Sequence, residues 1–251
     1  MSSSTMHRLL LRELAQPVPA APHLERVSHV LFDAKFLFGR KFCLLVILDG
    51  ITNRPVAGKV VTGETRACIT PWLYELRAAG LRPVAVTTDG RQAGLYAFAE
   101  VWPEIVVQRC LFHIRMQVES WARAKPKYAA ANAIKQLCCQ LCFIGTSTQA
   151  AAFQAAYWHL RATHQTELER LNSAHPVEGD LVRAYQLMRY ALPNCFHYLG
   201  DPNIARTTSP LEGYFKQVQR VRGFQHNGLT EEHLFQFLAW KLYFDGLKTH
   251  T

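Results

Sequence analysis

The sequence predicts an α/β fold in which a long helical segment interrupts a mixed sheet. Residues 27–61 contain short apolar runs rich in β-branched and aromatic residues, separated by turn residues. Residues 113–206 then show almost only helical periodicity, and strand-like patterns are scarce there. Amphipathic helical patterns close the chain after residue 207. We therefore expect one α/β domain that carries an all-helical insertion.

Three strands are predicted at the start of this domain. They cover residues 27–33, 41–49 and 54–61, and the turn-rich stretch DGITNRP joins the second to the third. Short links between neighbouring strands favour antiparallel pairing. The first three strands are therefore expected to form an antiparallel sheet.

The periodicity then alternates between helix and strand. A helix is predicted over residues 68–79 and ends at Gly80, and a strand follows over residues 81–89. A second helix over 91–103 ends at a proline, and a short strand follows over 104–108. The predicted order is therefore β-β-β-α-β-α-β, followed by the insertion and two closing helices.

These patterns define the expected domain boundaries. We expect residues 1–24 to be a leader of little order, because residues 14–25 are rich in proline and alanine. The α/β core is expected to comprise residues 25–112 and 207–251, with the insertion at residues 113–206. The hydrophobic content of 49% is sufficient for a packed core in a chain of 251 residues.

Charge and cysteine content restrict the class of protein. The chain has 28 basic and 19 acidic residues, a net charge of +9 that favours nucleic acid over membrane as a partner. No segment approaches the roughly 18 consecutive apolar residues of a membrane span. Its seven cysteines are odd in number and irregularly spaced, which indicates reduced thiols rather than a disulfide framework. We therefore expect a cytoplasmic protein.

Two aspartates lie in the predicted sheet. Asp33 falls within a strand on the same face as Leu31, where a carboxylate is unfavourable unless it is paired or binds metal. Its structural alternative is an ion pair with Lys35 or Arg40. Asp89 ends a strand, at the position where α/β folds commonly bind ligands, and its alternatives are a helix N-cap or an Asp-Gly turn. Both aspartates are candidate site residues.

A third acid begins a predicted helix. In TTSPLEG, Ser209 is predicted to be the N-cap, Pro210 the first helical residue and Glu212 the third. Glu212 lies off the apolar stripe of this helix, and its structural alternatives are a capping box with Ser209 or an ion pair with Lys216. Three carboxylates that converge on one sheet can bind two divalent cations about 3.5–4 Å apart, an arrangement suited to phosphoryl transfer.

Four motifs together resemble the catalytic core of Mutator-like DDE transposases. They are VLFDAKF with Asp33, VTTDG with Asp89, QRCLFH with Cys110 and His113, and TTSPLEGYFKQVQRVRG with Glu212. The resemblance covers about residues 25–245. It implies a ribonuclease-H-like core with the helical insertion between the second aspartate and the glutamate, in a bacterial, nucleoid-associated protein.

The resemblance also implies roles for particular residues. Asp33, Asp89 and Glu212 would be catalytic residues that bind two Mg2+ or Mn2+ ions, with Cys110 and His113 as a supporting pair. Zinc binding by that pair would need two further ligands. DNA contacts are expected from the basic residues that flank Glu212, which are Arg206, Lys216, Arg220 and Arg222. Transposon ends and target DNA would be the partners, with the protein acting as a homo-oligomer on DNA.

One departure from the family leaves two alternatives. The first 24 residues are too few for the DNA-binding region that precedes the first aspartate in relatives, which suggests a fragment or a diverged derivative. The first alternative is therefore an inactive derivative that binds DNA or a transposase and regulates it. The second is a ribonuclease-H-like nuclease that cuts structured DNA.

Overall fold

The structure is a computed structural model that describes residues 3–19, 23–37, 40–123, 126–220 and 230–247. The strands are β1 (His29–Leu37), β2 (Phe42–Asp49), β3 (Pro55–Val61), β4 (Ala85–Thr88) and β5 (Val106–Arg109). The helices are α1 (Ser3–Leu14), α2 (Arg66–Ala78), α3 (Gln92–Val101), α4 (Leu111–Ala122), α5 (Ala129–Cys139), α6 (Ser147–Thr163), α7 (Gln165–Glu169), α8 (Pro176–Ala191), α9 (Ser209–Arg220) and α10 (Glu231–Leu247).

The five strands form one mixed sheet in the order β3-β2-β1-β4-β5. Pairing is antiparallel between β1 and β2 and between β2 and β3, as the short links predicted. The predicted α/β class and the order β-β-β-α-β-α-β are confirmed. Contacts divide the chain into two compact units, and the boundary falls within β4, between Val86 and Thr87.

Unit 1 comprises Met1–Val86, Arg91–Ile105 and Ser209–Thr251. Both faces of strands β1 and β2 are largely buried. Directly paired residues of antiparallel strands point to the same side, so the pairing shows which residues share a face. Phe32 pairs with Ile47 and its ring packs against Phe98 of α3, with 5.2 Å between the ring centroids. Gly58 of β3 lies on the opposite face, where a Cβ atom would overlap Leu242 of α10. Helix α3 therefore covers one face and α10 the other.

Local signals set both ends of helix α2, which ends just before Gly80 as predicted and begins two residues before the predicted start. The side chain of Thr65 caps the first turn and accepts a hydrogen bond from the amide of Cys68 at 3.3 Å. Gly80 follows the helix with a φ of 109°, a conformation that glycine adopts without steric strain. The sequence therefore determines both ends of this helix.

Two helices, α1 and α9, differ from prediction. Residues Ser3–Leu14 form α1, where we expected a leader of little order. Leu14 is buried and α1 contacts α10, so tertiary packing stabilises this helix. Helix α9 includes Ser209 in its first turn instead of using it as the cap. This shift of one residue is common at helix ends, where backbone groups lack intrahelical partners.

Unit 2 comprises Thr87–Gly90 and Val106–Thr208, so it contains the predicted insertion together with the end of β4 and all of β5. The predicted helical character of residues 113–206 is confirmed by α4 to α8. Buried tyrosine hydroxyls connect these helices. Tyr157 donates to the carbonyl of Tyr185 at 2.6 Å, and Tyr185 donates to the carbonyl of Ala130 at 2.9 Å.

Two further expectations concern cysteines and membranes. All seven cysteines are free thiols, as their spacing predicted. Among the residues that the structure describes, no helix combines the length and apolar content needed to span a bilayer.

Candidate functional site

Asp33 lies in the interior of unit 1 on strand β1. Only 7% of the residue is exposed, and its carboxylate accepts a hydrogen bond from the amide of Ala34 at 2.7 Å. Asp33 pairs with Val46, which in turn pairs with Gly58, so the carboxylate lies on the sheet face that α10 covers. The alternation of β1 therefore places an acid on an apolar face, as the sequence predicted.

Glu212 lies in the first turn of α9, also in unit 1. The helix buries one side, through Leu211, Tyr214, Phe215 and Val218. Glu212 is half-buried beside this stripe, and an oxygen of its carboxylate lies within 4.8 Å of a carboxylate oxygen of Asp33. Contacts between α9 and β1 hold the two acids in this arrangement. Tertiary packing thus joins two residues that are far apart in the sequence.

Two carboxylates this close favour a cation between them. Ionised carboxylates repel each other, and a divalent cation offsets this repulsion more effectively than water does. The donor atoms are hard oxygens, the type that Mg2+ and Mn2+ prefer. Asp33 and Glu212 therefore fit as part of the ligand set of such an ion.

A further acid of unit 1 has a buried side chain. Glu64, whose side chain is only 3% exposed, pairs with Arg91 at 2.6 Å. Burial raises the pKa of the Cys43 thiol to about 12, and the charges of Glu64, Arg91 and Asp33 also act on that thiol. Sequence reasoning did not single out Glu64 or Arg91. Glu64 lies in a turn, and no local pattern indicates that it pairs with a residue 27 positions further on.

Basic residues of α9 follow Glu212. Lys216 and Arg220 are exposed, as phosphate contacts would require. Arg222, the third basic residue predicted on this side of Glu212, lies outside the described residues. Arg206 belongs to unit 2, where it is exposed and its guanidinium lies 4.7 Å from the ring centroid of Tyr198.

Asp89 lies in unit 2 directly after β4. The backbone carbonyl of Asp89 accepts a hydrogen bond from the guanidinium of Arg109 at 3.2 Å. Gly90 has a φ of 83°, and a side chain there would overlap the Arg109 guanidinium. Arg91 is the N-cap of α3, so the alternative in which Asp89 caps this helix is wrong. The alternative of an Asp-Gly turn agrees with the positive φ of Gly90.

Cys110 and His113 form a hydrogen-bonded cluster with Thr208 in unit 2. The Sγ atom of Cys110 lies 3.3 Å from Nδ1 of His113 and also accepts hydrogen bonds from the amide and hydroxyl of Thr208, at 3.3 and 3.4 Å. Burial raises the pKa of the Cys110 thiol, but these hydrogen bonds outweigh burial, so the pKa is lower than usual. The thiol thus accepts from two groups of Thr208 and shares a further hydrogen bond with His113.

No protein-family model matches this sequence, and no curated protein shows significant similarity to it.

The zinc alternative receives no support from the other cysteines. Cys138 is buried in unit 2 and its thiol lies 3.5 Å from the sulfur of Met188. Burial raises its pKa, which disfavours the thiolate that zinc requires. Within the described residues, no group of three or more potential ligands includes a cysteine.

Proposed function

We propose that this chain is the catalytic core of a DDE transposase, similar to the Mutator-like family. It would cleave DNA strands at the ends of an insertion sequence and join them to target DNA. The observation that carries this proposal is the approach of the Asp33 and Glu212 carboxylates within unit 1. The whole helical insertion lies between these residues in the sequence. A structural ion pair or a helix cap would not require two acids to meet.

The fold supports the proposal at a coarser level. Three antiparallel strands followed by alternating helices and strands are compatible with a ribonuclease-H-like core. In such a core, the first strand and a late helix both contribute acids to the site. Asp33 on β1 and Glu212 on α9 would correspond to these two positions.

Asp33 and Glu212 would hold a divalent cation, and we assign Asp89 to the same ligand set from the resemblance. When bound, Mg2+ or Mn2+ supplies Lewis acidity for an in-line displacement at phosphorus. The protein contributes rigidity. Asp33 is fixed by the strand and by the amide of Ala34, and Glu212 is fixed by the buried side of α9. Lys216 and Arg220 would bind phosphates beside the scissile strand.

Cleavage of oligonucleotides tests the catalytic role. The purified chain is incubated with Mg2+ or Mn2+ and duplexes that carry candidate terminal inverted repeats. We expect strand cleavage that Asp33→Asn, Asp89→Asn and Glu212→Gln each lower by at least about a hundredfold, the effect of several kcal/mol lost from the transition state. Glu75→Gln is the matched control, because Glu75 is an exposed acid of unit 1 that pairs with Lys59.

Metal binding gives an independent measurement. Titration with Mn2+ in a calorimeter should show binding that Asp33→Asn and Glu212→Gln weaken and Glu75→Gln leaves unchanged. DNA binding without cleavage, insensitive to these changes, would instead indicate the regulatory derivative. Cleavage of branched DNA without any strand joining would indicate the nuclease. Either result would overturn the transposase proposal.

A further inference from the structure

Two exposed aromatic residues of unit 2 each lie against an arginine. Trp158 of α6 is 47% exposed, and the guanidinium of Arg161 lies 5.7 Å from its ring centroid. Tyr190 of α8 is 67% exposed, and the guanidinium of Arg189 lies 5.8 Å from its ring centroid. A cation beside an aromatic ring gives a surface that can both stack on a ring and bind an anion.

The buried Tyr157 connects the two pairs. Its ring packs edge-on against Trp158 with 5.1 Å between the centroids, and its hydroxyl donates to the carbonyl of Tyr185 in α8. Arg161 and Arg189 both act on this hydroxyl, although burial is the larger effect and raises the pKa of Tyr157 to about 12. Tyr157 thus contacts Trp158 of the first pair and joins α6 to α8, the helix that carries the second pair. We call Trp158, Arg161, Arg189 and Tyr190 the arginine–aromatic patch.

Tyr157 and Trp158 are neighbours in α6, but they differ in exposure. Tyr157 has no exposed surface and belongs to the core of unit 2. Trp158 borders a cavity of about 380 Å3 that Arg161 and Gln165 also line. This volume is within the range of sites that bind small ring systems. Of these two neighbouring residues, Trp158 is therefore the one whose ring can contact a ligand.

We propose that the arginine–aromatic patch binds single-stranded DNA, with bases stacked on Trp158 and Tyr190 and phosphates bound by Arg161 and Arg189. Stacking is tolerant of sequence because every base has a π-face, and arginine binds phosphate with its planar donor fork. Within the described part of the chain, neither arginine forms a salt bridge, so both charges are available to phosphates. Duplex DNA keeps its bases stacked inside and fits the patch poorly.

The patch uses none of the residues assigned to catalysis. Its binding therefore does not depend on the proposed transposase activity, and the two proposals can fail separately. Glu212→Gln should abolish cleavage and leave binding to single strands intact. Loss of stacking residues should weaken binding to single strands without removing the two carboxylates of unit 1.

Fluorescence anisotropy with a labelled 20-nucleotide oligo(dT) and the full chain tests the patch. We expect Trp158→Ala and Tyr190→Ala each to weaken binding about tenfold, which is within the range measured for single stacked bases. Trp158→Phe should restore most of the affinity, because it keeps a stacking surface. Arg161→Gln and Arg189→Gln should each lower the magnitude of the salt slope by about 0.7. Phe143→Ala is the matched control, since Phe143 is 77% exposed in the same unit.

Several outcomes would contradict the proposed binding of single strands. They are unchanged affinity of the alanine variants, equal loss in Phe143→Ala, failure of Trp158→Phe to restore binding, and equally tight binding of a duplex through the same rings. Circular dichroism verifies that each variant is folded. If Trp158→Ala does not fold, the double variant Arg161→Gln with Arg189→Gln is measured instead. An unchanged affinity of this double variant for oligo(dT) also contradicts the proposal.

Discussion

Two buried cysteines of unit 2 have thiol pKa values that shift in opposite directions. Burial raises the pKa of Cys195 to about 12, and the nearby charge of Arg109 offsets only part of this effect. Burial acts in the same direction on Cys110, but hydrogen bonds from His113 and Thr208 outweigh it and lower the pKa. The difference lies in the donors, since both thiols are fully buried.

These shifts predict opposite pH dependences of stability. The native state binds fewer protons than the unfolded state at Cys110, so this thiol stabilises the fold as pH rises toward the unfolded pKa of about 8.5. At Cys195 the native state retains its proton, so stability is lost as pH rises above about 8.5. Relative to wild type, Cys110→Ala should therefore lose more stability at high pH, and Cys195→Ala should lose less.

Urea unfolding between about pH 6.5 and 9.5 measures both differences, a window that brackets the reference pKa of a thiol. The two variants serve as controls for each other, because each removes one buried thiol from the same unit. If the stability difference between wild type and Cys110→Ala stays constant or shrinks as pH rises, the assigned direction of the Cys110 pKa shift is wrong.

Single residues also show how far the candidate site could be predicted. The face of Asp33 follows from strand alternation, and the helix position of Glu212 follows from the serine and proline before it. Glu64 and Arg91 could not be found in this way, because their ion pair depends on the packing of a turn against a distant helix start. Local sequence patterns show to which face of an element a side chain points, but they do not show which distant residue it contacts.

At the scale of elements, tyrosine hydroxyls connect the helices of unit 2. Tyr185 of α8 is 4% exposed and donates to the carbonyl of Ala130 at 2.9 Å, which joins α8 to α5. Tyr198 similarly donates to the carbonyl of Ile144 at 2.7 Å. Because these donors are shielded from water, each hydrogen bond contributes to stability more reliably than an exposed one does.

Removal of one hydroxyl tests this role. Tyr185→Phe should lower the free energy of unfolding by about 1 kcal/mol, the usual net value of one intramolecular hydrogen bond. Tyr190→Phe, at an exposed position of the same helix, should have almost no effect. Urea midpoints at constant m-value measure both changes. Equal effects of the two substitutions would show that the Ala130 hydrogen bond does not stabilise the helix pair.

Helix α1 illustrates the limit of prediction for elements. The helices with caps or clear periodicity, such as α2 and α9, were predicted to within a few residues. Helix α1 was not, because the proline- and alanine-rich stretch after it indicated a leader, and a helix of 12 residues is marginal in water unless another element covers it. Burial of Leu14 and contact with α10 supply that condition, and neither is visible in the local sequence.

At the scale of the whole molecule, the net charge of +9 predicts salt-sensitive binding to nucleic acid. Lys216→Ala and Arg220→Ala should each reduce the magnitude of the slope of log K against log salt by about one, for duplex DNA between about 50 and 200 mM salt. Lys59→Ala should leave the slope unchanged, because Lys59 pairs with Glu75 at 2.8 Å. Filter binding or anisotropy measures these slopes.

A slope that neither variant alters would show that α9 does not contact phosphates. In that case the placement of scissile DNA beside Glu212 would be wrong. The phosphate role of α9 would be contradicted most directly if both variants kept the wild-type salt slope and still cleaved DNA.

By itself, the sequence determined the α/β class, the order of the elements and the helical nature of the insertion, because these depend on periodicities set by backbone hydrogen bonding. Only the tertiary structure decided that Asp33 and Glu212 meet, since their approach depends on how α9 packs on β1. It also decided that Tyr157 is buried and Trp158 exposed. Neighbouring residues of a helix point about 100° apart, so the packing of one face determines which ring remains available for binding.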